Sequence, residues 1–248
     1  MTIELLSRQQ LQLLNKQGMR YPLAVAEKDY FLAIVLKILF ASVLKDVLVF
    51  KGGTALHHTY LPQLRFSQDL DFTALRRVSI EELVSIFEAY EFLELKKHYS
   101  SPATIKIERL LYNGPLAMPA SLKIEIDFKQ NVVLPAKHIT YRNAYNVAVT
   151  AGVMDMREIC AEKIRAMNER FRYRDFYDFG MMMRELELDL NEVVGLLEHK
   201  ELRKPLLREN IMEHWRLASD AKERDLSQIH VGQEIDDIED FLQMIPIV

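Results

Sequence analysis

Three aspartates and a glycine-rich turn have the residue types and spacing best suited to chemistry. They occur in the order Phe50-Lys51-Gly52-Gly53-Thr54, then Asp69-Leu70-Asp71, and finally Asp127. Glycines let the backbone approach a bound group closely, and the start of a helix offers unpaired N–H groups to an anion. Two carboxylates two residues apart on a strand share a face and repel each other unless a cation lies between them. The pattern therefore predicts a site for Mg²⁺ beside a phosphate-bearing ligand.

Asp127 lies on the polar face of Leu122–Phe128, a segment that alternates as a half-buried strand does. If this strand pairs beside the one that carries Asp69 and Asp71, the three carboxylates can bind one or two metal ions. Asp127 would then be placed to help deprotonate an attacking hydroxyl. Such a set suits in-line displacement at phosphorus, whereas an isolated Asp-x-Asp or Gly-Gly is more often a solvated strand or a simple turn.

The surrounding segments predict an α+β fold in which a small mixed sheet with flanking helices is followed by a helical C-terminal region. The predicted strands are Val47–Phe50, Phe66–Thr73, Thr104–Tyr112, Leu122–Phe128 and a short one at Val147–Thr150. A helix is predicted from Ser79 to about Lys97, because Ser79 precedes two glutamates. The helical pattern from Asp155 onward predicts a catalytic domain over residues 1–150 and a helical domain over residues 151–248.

The bulk composition narrows the class of protein. The chain has 248 residues, a net charge of −4 and one cysteine, which excludes an internal disulfide framework and a cysteine-based zinc site. The N-terminus does not have the pattern of a signal peptide, and the apolar run Tyr30–Val43 is too short to span a bilayer, so we expect a cytoplasmic protein without membrane contact. The average charge hides a basic segment, Arg157–Arg174, that could receive RNA phosphates.

The motifs together resemble the signature of the AbiEii/AbiGii-type nucleotidyltransferase toxins of bacterial abortive-infection and toxin–antitoxin systems, a branch of the polymerase-beta-like superfamily. The resemblance rests on Gly52-Gly53-Thr54-Ala55-Leu56, on the Arg-x-Ser-x-Asp-x-Asp form of Arg65–Phe72, and on Lys163 followed by Arg174-Asp175-Phe176-Tyr177-Asp178. It covers roughly residues 25–185, and the order of the motifs agrees. One difference is that Thr54 stands where the wider superfamily prefers serine, which keeps the hydroxyl.

This resemblance implies transfer of a nucleoside monophosphate from an NTP to an acceptor, with Mg²⁺ as cofactor and release of pyrophosphate. In this family the acceptor can be the 3′ end of a tRNA, and the partner is usually an antitoxin from the same operon. It also implies that Lys163 binds phosphate and that Asp175 lies in an active-site cleft between the two domains. Asp178 either points to the site or caps a helix. Without the resemblance, Lys163 would be interpreted as part of a solvated helix face and Arg174-Asp175 as an ion pair.

The predicted site residues fall into three overlapping groups. The catalytic group is Asp69, Asp71, Asp127, Lys163 and Asp175; the metal ligands are Asp69, Asp71 and Asp127; the nucleotide-binding group is Gly52, Gly53, Thr54, Arg65, Ser67 and Lys163. Arg65 and Ser67 either contact the triphosphate or support the strand. Two alternatives stay open: transfer to a small molecule such as an aminoglycoside, and a non-catalytic nucleotide-binding module that keeps only the fold.

Overall fold

The chain folds into two compact units. The computed structural model describes residues 2–223, 225 and 230–247. The first unit, the sheet unit, comprises Met1–Thr59, Ser67–Val132 and Ala136–Val153; the second, the helical unit, comprises Tyr60–Phe66, Val133–Pro135 and Met154–Val248. The sequence places a single boundary near residue 150, whereas two short segments that precede this boundary belong to the helical unit. Arg65, on one of these segments, is therefore described with that unit.

The sheet unit is built on a seven-stranded mixed sheet. Its strands are β1 (Leu48–Lys51), β2 (Asp69–Ala74), β3 (Leu93–Ser100), β4 (Thr104–Tyr112), β5 (Ala120–Asp127), β6 (Lys137–Thr140) and β7 (Thr150–Val153). Their order across the sheet is β3-β4-β5-β2-β1-β7-β6. β2 runs parallel to β5 and antiparallel to β1, while β1 runs parallel to β7. The predicted α+β class, with a mixed sheet and flanking helices, is confirmed.

Four helices of the sheet unit flank these strands: α1 (Arg8–Gln17), α2 (Leu23–Phe40), α3 (Gly52–Ala55, continued by a π-helical turn over Leu56–Tyr60) and α4 (Ile80–Phe87). α2 is apolar on nearly every side and packs against β2, β5 and β7, so much of its length is buried in the core of the unit. α3 begins directly at the end of β1, so the glycine turn leads from strand into helix as the sequence predicts.

The predicted helix from Ser79 to Lys97 is wrong in its second half. Ser79 does cap a helix, but that helix ends at Phe87, and Leu93–Ser100 forms the edge strand β3. The glutamate and lysines of this segment favour a helix locally, yet antiparallel pairing with β4 satisfies its backbone groups and buries Leu93. The last strand of the sheet unit is also displaced, to Thr150–Val153 from the predicted Val147–Thr150.

The helical unit contains α5 (Met156–Glu169), α6 (Tyr173–Glu185), α7 (Leu190–Leu196), α8 (Arg208–Asp220) and α9 (Ile238–Gln243), with a 3₁₀ turn over Leu197–His199. α5 is central to it, because it contacts α6, α7 and α8. Asp155 caps α5 by accepting a hydrogen bond from the backbone N–H of Arg157. Within the described part of the chain, none of the helices has the length and apolar character needed to cross a bilayer.

Candidate active site

β2 presents two carboxylates on one face of the sheet. Asp69 and Asp71 are half-buried, while Leu70 and Phe72 between and after them are fully buried on the opposite face. This is the alternation that the sequence predicts from the period of a strand. The two carboxylates therefore share the partly exposed face of β2.

β5 brings the third aspartate to the same face. In the parallel register of β2 with β5, Asp71 lies opposite Glu125 and Thr73 lies opposite Asp127. Asp127 is thus one strand away from Asp71, and neighbouring strands are about 5 Å apart. Among the described residues, no three histidine, cysteine or acidic side chains are already gathered around a point that one metal ion could occupy. The backbone places the three aspartates on a shared face of the sheet.

Lys51 is a member of this cluster that the sequence analysis missed. It ends β1 opposite Asp71, and its Nζ lies 3.4 Å from Oδ2 of Asp127 on β5. Because β2 lies between β1 and β5, the lysine side chain passes over β2 and places its ammonium among the carboxylates. A signal was present in the sequence: Lys51 is the charged residue of an otherwise apolar, fully buried strand, and a buried charge needs a partner.

The other carboxylate oxygen of Asp127 is held by the backbone. Its Oδ1 accepts hydrogen bonds from the N–H of Lys129 at 2.8 Å and of Gln130 at 3.3 Å. The turn that follows β5 therefore fixes the plane of the carboxylate and leaves Oδ2 directed toward Lys51.

Gly52 is required by the geometry of Asp71. Its φ is +77°, a backbone conformation that residues with a side chain rarely adopt. A Cβ atom on this residue would lie 2.5 Å from Oδ2 of Asp71. The carboxylate of Asp71 is thus packed directly against the backbone of the glycine turn, so the turn and the predicted metal ligand form one structural feature.

Thr54 connects the same turn to the other carboxylate on β2. Its side chain is fully buried, and Oγ1 donates a 2.6 Å hydrogen bond to the backbone carbonyl of Asp69. The predicted nucleotide contact of Thr54 stays a prediction, while the observed contact assigns its hydroxyl to positioning Asp69. Ser67 is half-buried in the segment just before β2.

Replacing Thr54 by valine should uncouple the glycine turn from Asp69. The shape of the side chain is kept but the buried carbonyl loses its donor, so we expect a loss of about 1–2 kcal/mol in the free energy of unfolding and a drop in activity. Thr54→Ser keeps the hydroxyl and should retain most of both. Denaturant unfolding and initial transfer rates of the two variants check this; equal behaviour of valine and serine would show that the hydrogen bond has no such role.

In the helical unit, Arg65 forms a buried fork with Asp178. Its Nε and Nη2 each lie 2.6 Å from a different carboxylate oxygen of Asp178, and Nη1 donates to the carbonyl of Phe66. Burial acts to lower the pKa of the guanidinium, but the charge and hydrogen bonds of Asp178 outweigh it and raise the pKa. The prediction that Arg65 contacts the triphosphate stays a prediction, and the observed partners favour the alternative that it supports the structure.

Lys163 joins Asp178 to Asp175 in the same unit. Its Nζ lies 2.7 Å from Asp178 and 3.0 Å from Asp175, and Arg170 donates a 2.8 Å hydrogen bond to the other oxygen of Asp175. Burial acts to raise the pKa of Asp175, but the charges of Lys163 and Arg170 hold that pKa well below its ordinary value. Asp178 is therefore the centre of an ion network rather than a helix cap. Lys163, Arg170, Asp175 and Asp178 of the later motif therefore meet in one ion network.

Removing the charge of Asp178 should destabilise the helical unit strongly. Asp178→Asn leaves the buried Arg65 guanidinium without its counter-ion, so we expect a loss of about 3–5 kcal/mol in the free energy of unfolding. A matched change at an exposed pair, Asp46→Asn next to Lys45 at 4.0 Å, should cost less than about 1 kcal/mol. Urea unfolding measures both; a loss at Asp178 as small as that at Asp46 would contradict the assigned role.

Residues 34–245 match the family model described as the AbiEii nucleotidyl transferase toxin of a type IV toxin–antitoxin system. The chain belongs to this family. The resemblance noted in the sequence is thereby confirmed, and the protein is a nucleotidyltransferase toxin by family. Among curated proteins, no match to the sequence was found.

Solved structures agree with the AbiEii assignment at the level of the fold. MenT4, a nucleotidyltransferase toxin from Mycobacterium tuberculosis, superposes with a TM-score of 0.61 at 18% identity, covering 95% of this chain and 98% of MenT4. JHP933 from Helicobacter pylori gives a TM-score of 0.56 at 19% identity, covering 96% of this chain and 89% of its own. A putative nucleotidyltransferase from H. pylori gives 0.52 at 20% identity, with coverages of 96% and 92%. At these identities the likeness establishes the AbiEii-type fold and nothing finer.

Proposed function

We propose that this AbiEii-family toxin transfers a nucleoside monophosphate from an NTP to the 3′ end of an RNA, with tRNA as the acceptor and pyrophosphate as the leaving group. The observation that carries the proposal is the shared face of β2 and β5. There Asp69, Asp71 and Asp127 lie beside the glycine turn, and Asp71 packs against Gly52. Paired carboxylates next to a phosphate-binding turn are what phosphoryl transfer with divalent cations needs.

The residues of this face fit a divalent cation. The donors are carboxylate oxygens from adjacent strands, which are the ligands that Mg²⁺ prefers. Lys51 places one positive charge beside Asp127, and the carboxylates of Asp69 and Asp71, close together on one strand, favour a further cation between them. We propose that Asp69 and Asp71 hold the metal, with Asp127 completing the set. When bound, Mg²⁺ would supply neutralisation of phosphate charge and a lowered pKa for the attacking hydroxyl.

The remaining tasks fall to groups of the protein itself. The backbone N–H groups of Gly52 and Gly53 bind the phosphates of the NTP, which can approach closely because the turn carries no side chains there. Asp127 receives the proton of the attacking hydroxyl at Oδ2, since its Oδ1 is held by backbone N–H groups. Lys51 neutralises Asp127 before the substrate arrives and donates to a phosphate oxygen afterwards.

Residues of the helical unit enter the proposal through the family resemblance. Lys163 and Asp175 are proposed to serve the reaction, and their ion pairs with Asp178 and Arg170 keep both side chains in fixed positions. The family further suggests a cognate antitoxin as the protein partner. A cytoplasmic location, where RNA and NTP are both present, suits this activity.

Transfer of labelled nucleotide tests the proposal. The protein is incubated with total RNA, Mg²⁺ and each of the four NTPs in turn, labelled at the α-phosphate. The expected result is label at the 3′ end of tRNA with at least one NTP, abolished by a chelator, and loss of growth inhibition in cells that express Asp69→Ala. Absence of label on RNA with every NTP contradicts the proposal. Label on an added aminoglycoside instead would favour transfer to a small molecule.

A further inference from the structure

The face that carries the three carboxylates continues outward across β5, β4 and β3 as an exposed polar surface. Lys123 on β5 lies opposite Asp69, and Lys106 on β4 lies opposite Glu125. Tyr99 on β3 lies opposite Lys106. Residues paired in this way point to the same side of a sheet, so these side chains share the surface on which the carboxylates lie. We call Tyr99, Lys106 and Lys123 the outer face.

Lys106 of the outer face can give up its weak ion pair and bind an anionic ligand instead. Lys106 lies 3.0 Å from Glu125, but both side chains are 46% exposed, and such surface pairs are weak in water. Lys28 extends the cationic surface from α2, where its Nζ donates to Oε1 of Gln68 at 3.3 Å. Burial lowers the pKa of Lys28, the charge of Asp69 opposes this effect, and the charge of Lys123 adds to it.

The geometry of in-line displacement indicates which of the two substrates lies on the outer face. In an in-line displacement the attacking oxygen and the leaving pyrophosphate lie on opposite sides of the reacting phosphorus. The glycine turn, which holds the leaving phosphates, follows β1 on one side of β2. Asp127, the proposed acceptor of the proton, lies on β5 on the other side of β2. The acceptor hydroxyl therefore enters from the β5 side, where its chain continues over β4 and β3.

We propose that the outer face binds the single-stranded 3′ end of the RNA acceptor, an inference that rests on the proposed function. Lys123 and Lys106 bind successive backbone phosphates, and Tyr99, which is 55% exposed, stacks against a base. From the sequence, the basic segment Arg157–Arg174 was instead the surface that could receive RNA phosphates. In the helical unit, however, arginines of that segment are paired with acidic residues: Arg157 with Asp155 and Glu192, Arg165 with Glu162 and Glu169, and Arg170 with Asp175.

The test is a salt titration of RNA binding. A fluorescent single-stranded RNA ending in cytidine-cytidine-adenosine is titrated with the full chain, the double variant Lys106→Gln/Lys123→Gln, and the matched control Lys16→Gln/Lys45→Gln. The control removes the same charge from exposed lysines that are not on β3, β4 or β5: Lys16 lies in α1 and Lys45 in the turn before β1. Each phosphate contact contributes about 0.7 to the logarithmic salt slope, so the double variant should lose about 1.4 while the control keeps the slope. Tyr99→Ala should weaken binding on the order of tenfold, and Tyr99→Phe should restore it.

The outcomes separate this inference from the proposed function. If the unaltered protein labels RNA, but the double variant binds and labels RNA as well as the control does, the outer face is not the acceptor site and the inference is overturned. If the double variant has a raised KM for RNA with an unchanged KM for NTP, the inference is supported. A third outcome is that the unaltered protein labels no RNA, while the double variant binds RNA more weakly than the unaltered protein does. In that case the outer face is an RNA-binding surface and the proposed reaction fails.

Discussion

Replacing Asp69 by asparagine should lower the rate of nucleotide transfer by about a thousandfold or more while the protein stays folded. The substitution keeps the shape of the side chain and the hydrogen bond from Thr54 to the Asp69 backbone. It removes one of the two charges on β2 that are proposed to bind the metal, and a thousandfold corresponds to about 4 kcal/mol of lost transition-state stabilisation. Single-turnover assays with labelled NTP, together with the unfolding midpoint, give both quantities.

Glu125→Gln is the matched control for Asp69→Asn. Glu125 is a carboxylate on the same face, opposite Asp71 on the neighbouring strand, but it is paired with Lys106 rather than placed at the glycine turn. Its loss should change the rate by less than about tenfold. Equal losses in the two variants would mean that the general negative charge of the face matters, and that Asp69 has no special role as a ligand.

Gly52→Ala should cost both stability and activity. A positive φ is unfavourable for alanine by about 1–2 kcal/mol, and the added methyl group meets the carboxylate of Asp71. We expect a total loss of about 2–4 kcal/mol in the free energy of unfolding. We also expect a lower transfer rate for the protein that remains folded, because the added methyl group forces Asp71 to rotate away from the glycine turn. Guanidinium unfolding and the transfer assay, run below the unfolding transition, measure the two effects separately.

A second glycine provides the control for this substitution. Gly195 lies within α7, and a Cβ atom added there meets no other atom within 4 Å. Gly195→Ala should therefore leave activity unchanged and alter stability by no more than about 1 kcal/mol, with a gain expected from the better helix propensity of alanine. If Gly52→Ala behaved in the same way, the close packing of Asp71 against the turn would be refuted.

The shared face of Asp69, Asp71 and Asp127 was predictable because its pattern is local. The alternation in Phe66–Thr73 and Leu122–Phe128 sets the side on which each aspartate lies, whatever the rest of the chain does. The one long-range step, that β5 pairs beside β2, was stated as a condition and is now observed. The order of the motifs also led to the right family.

What could not be predicted depends on partners that are distant in the sequence. Lys51 meets Asp127 across 76 positions, and Arg65 meets Asp178 across 113. No periodicity encodes such pairs, so the sequence left Arg65 with two possible roles, at the triphosphate or in support of the strand, and Lys51 was missed. The edge strand β3 was missed for a related reason: its composition favours a helix, and the pairing with β4 that overrides this preference is a tertiary interaction.

Asp69 and Asp71 are proposed to bind a divalent cation beside the glycine turn, and the proposed nucleotide transfer depends on that cation. Diffraction from crystals grown with Mn²⁺ and a non-hydrolysable NTP analogue tests this binding directly, because the anomalous signal locates the metal without reference to any proposed mechanism. We expect Mn²⁺ coordinated by Asp69 and Asp71, the phosphates against Gly52 and Gly53, and the ammonium of Lys51 displaced from Asp127. Mn²⁺ bound elsewhere in the molecule, or an analogue bound away from β2 with both carboxylates unligated, would contradict the account.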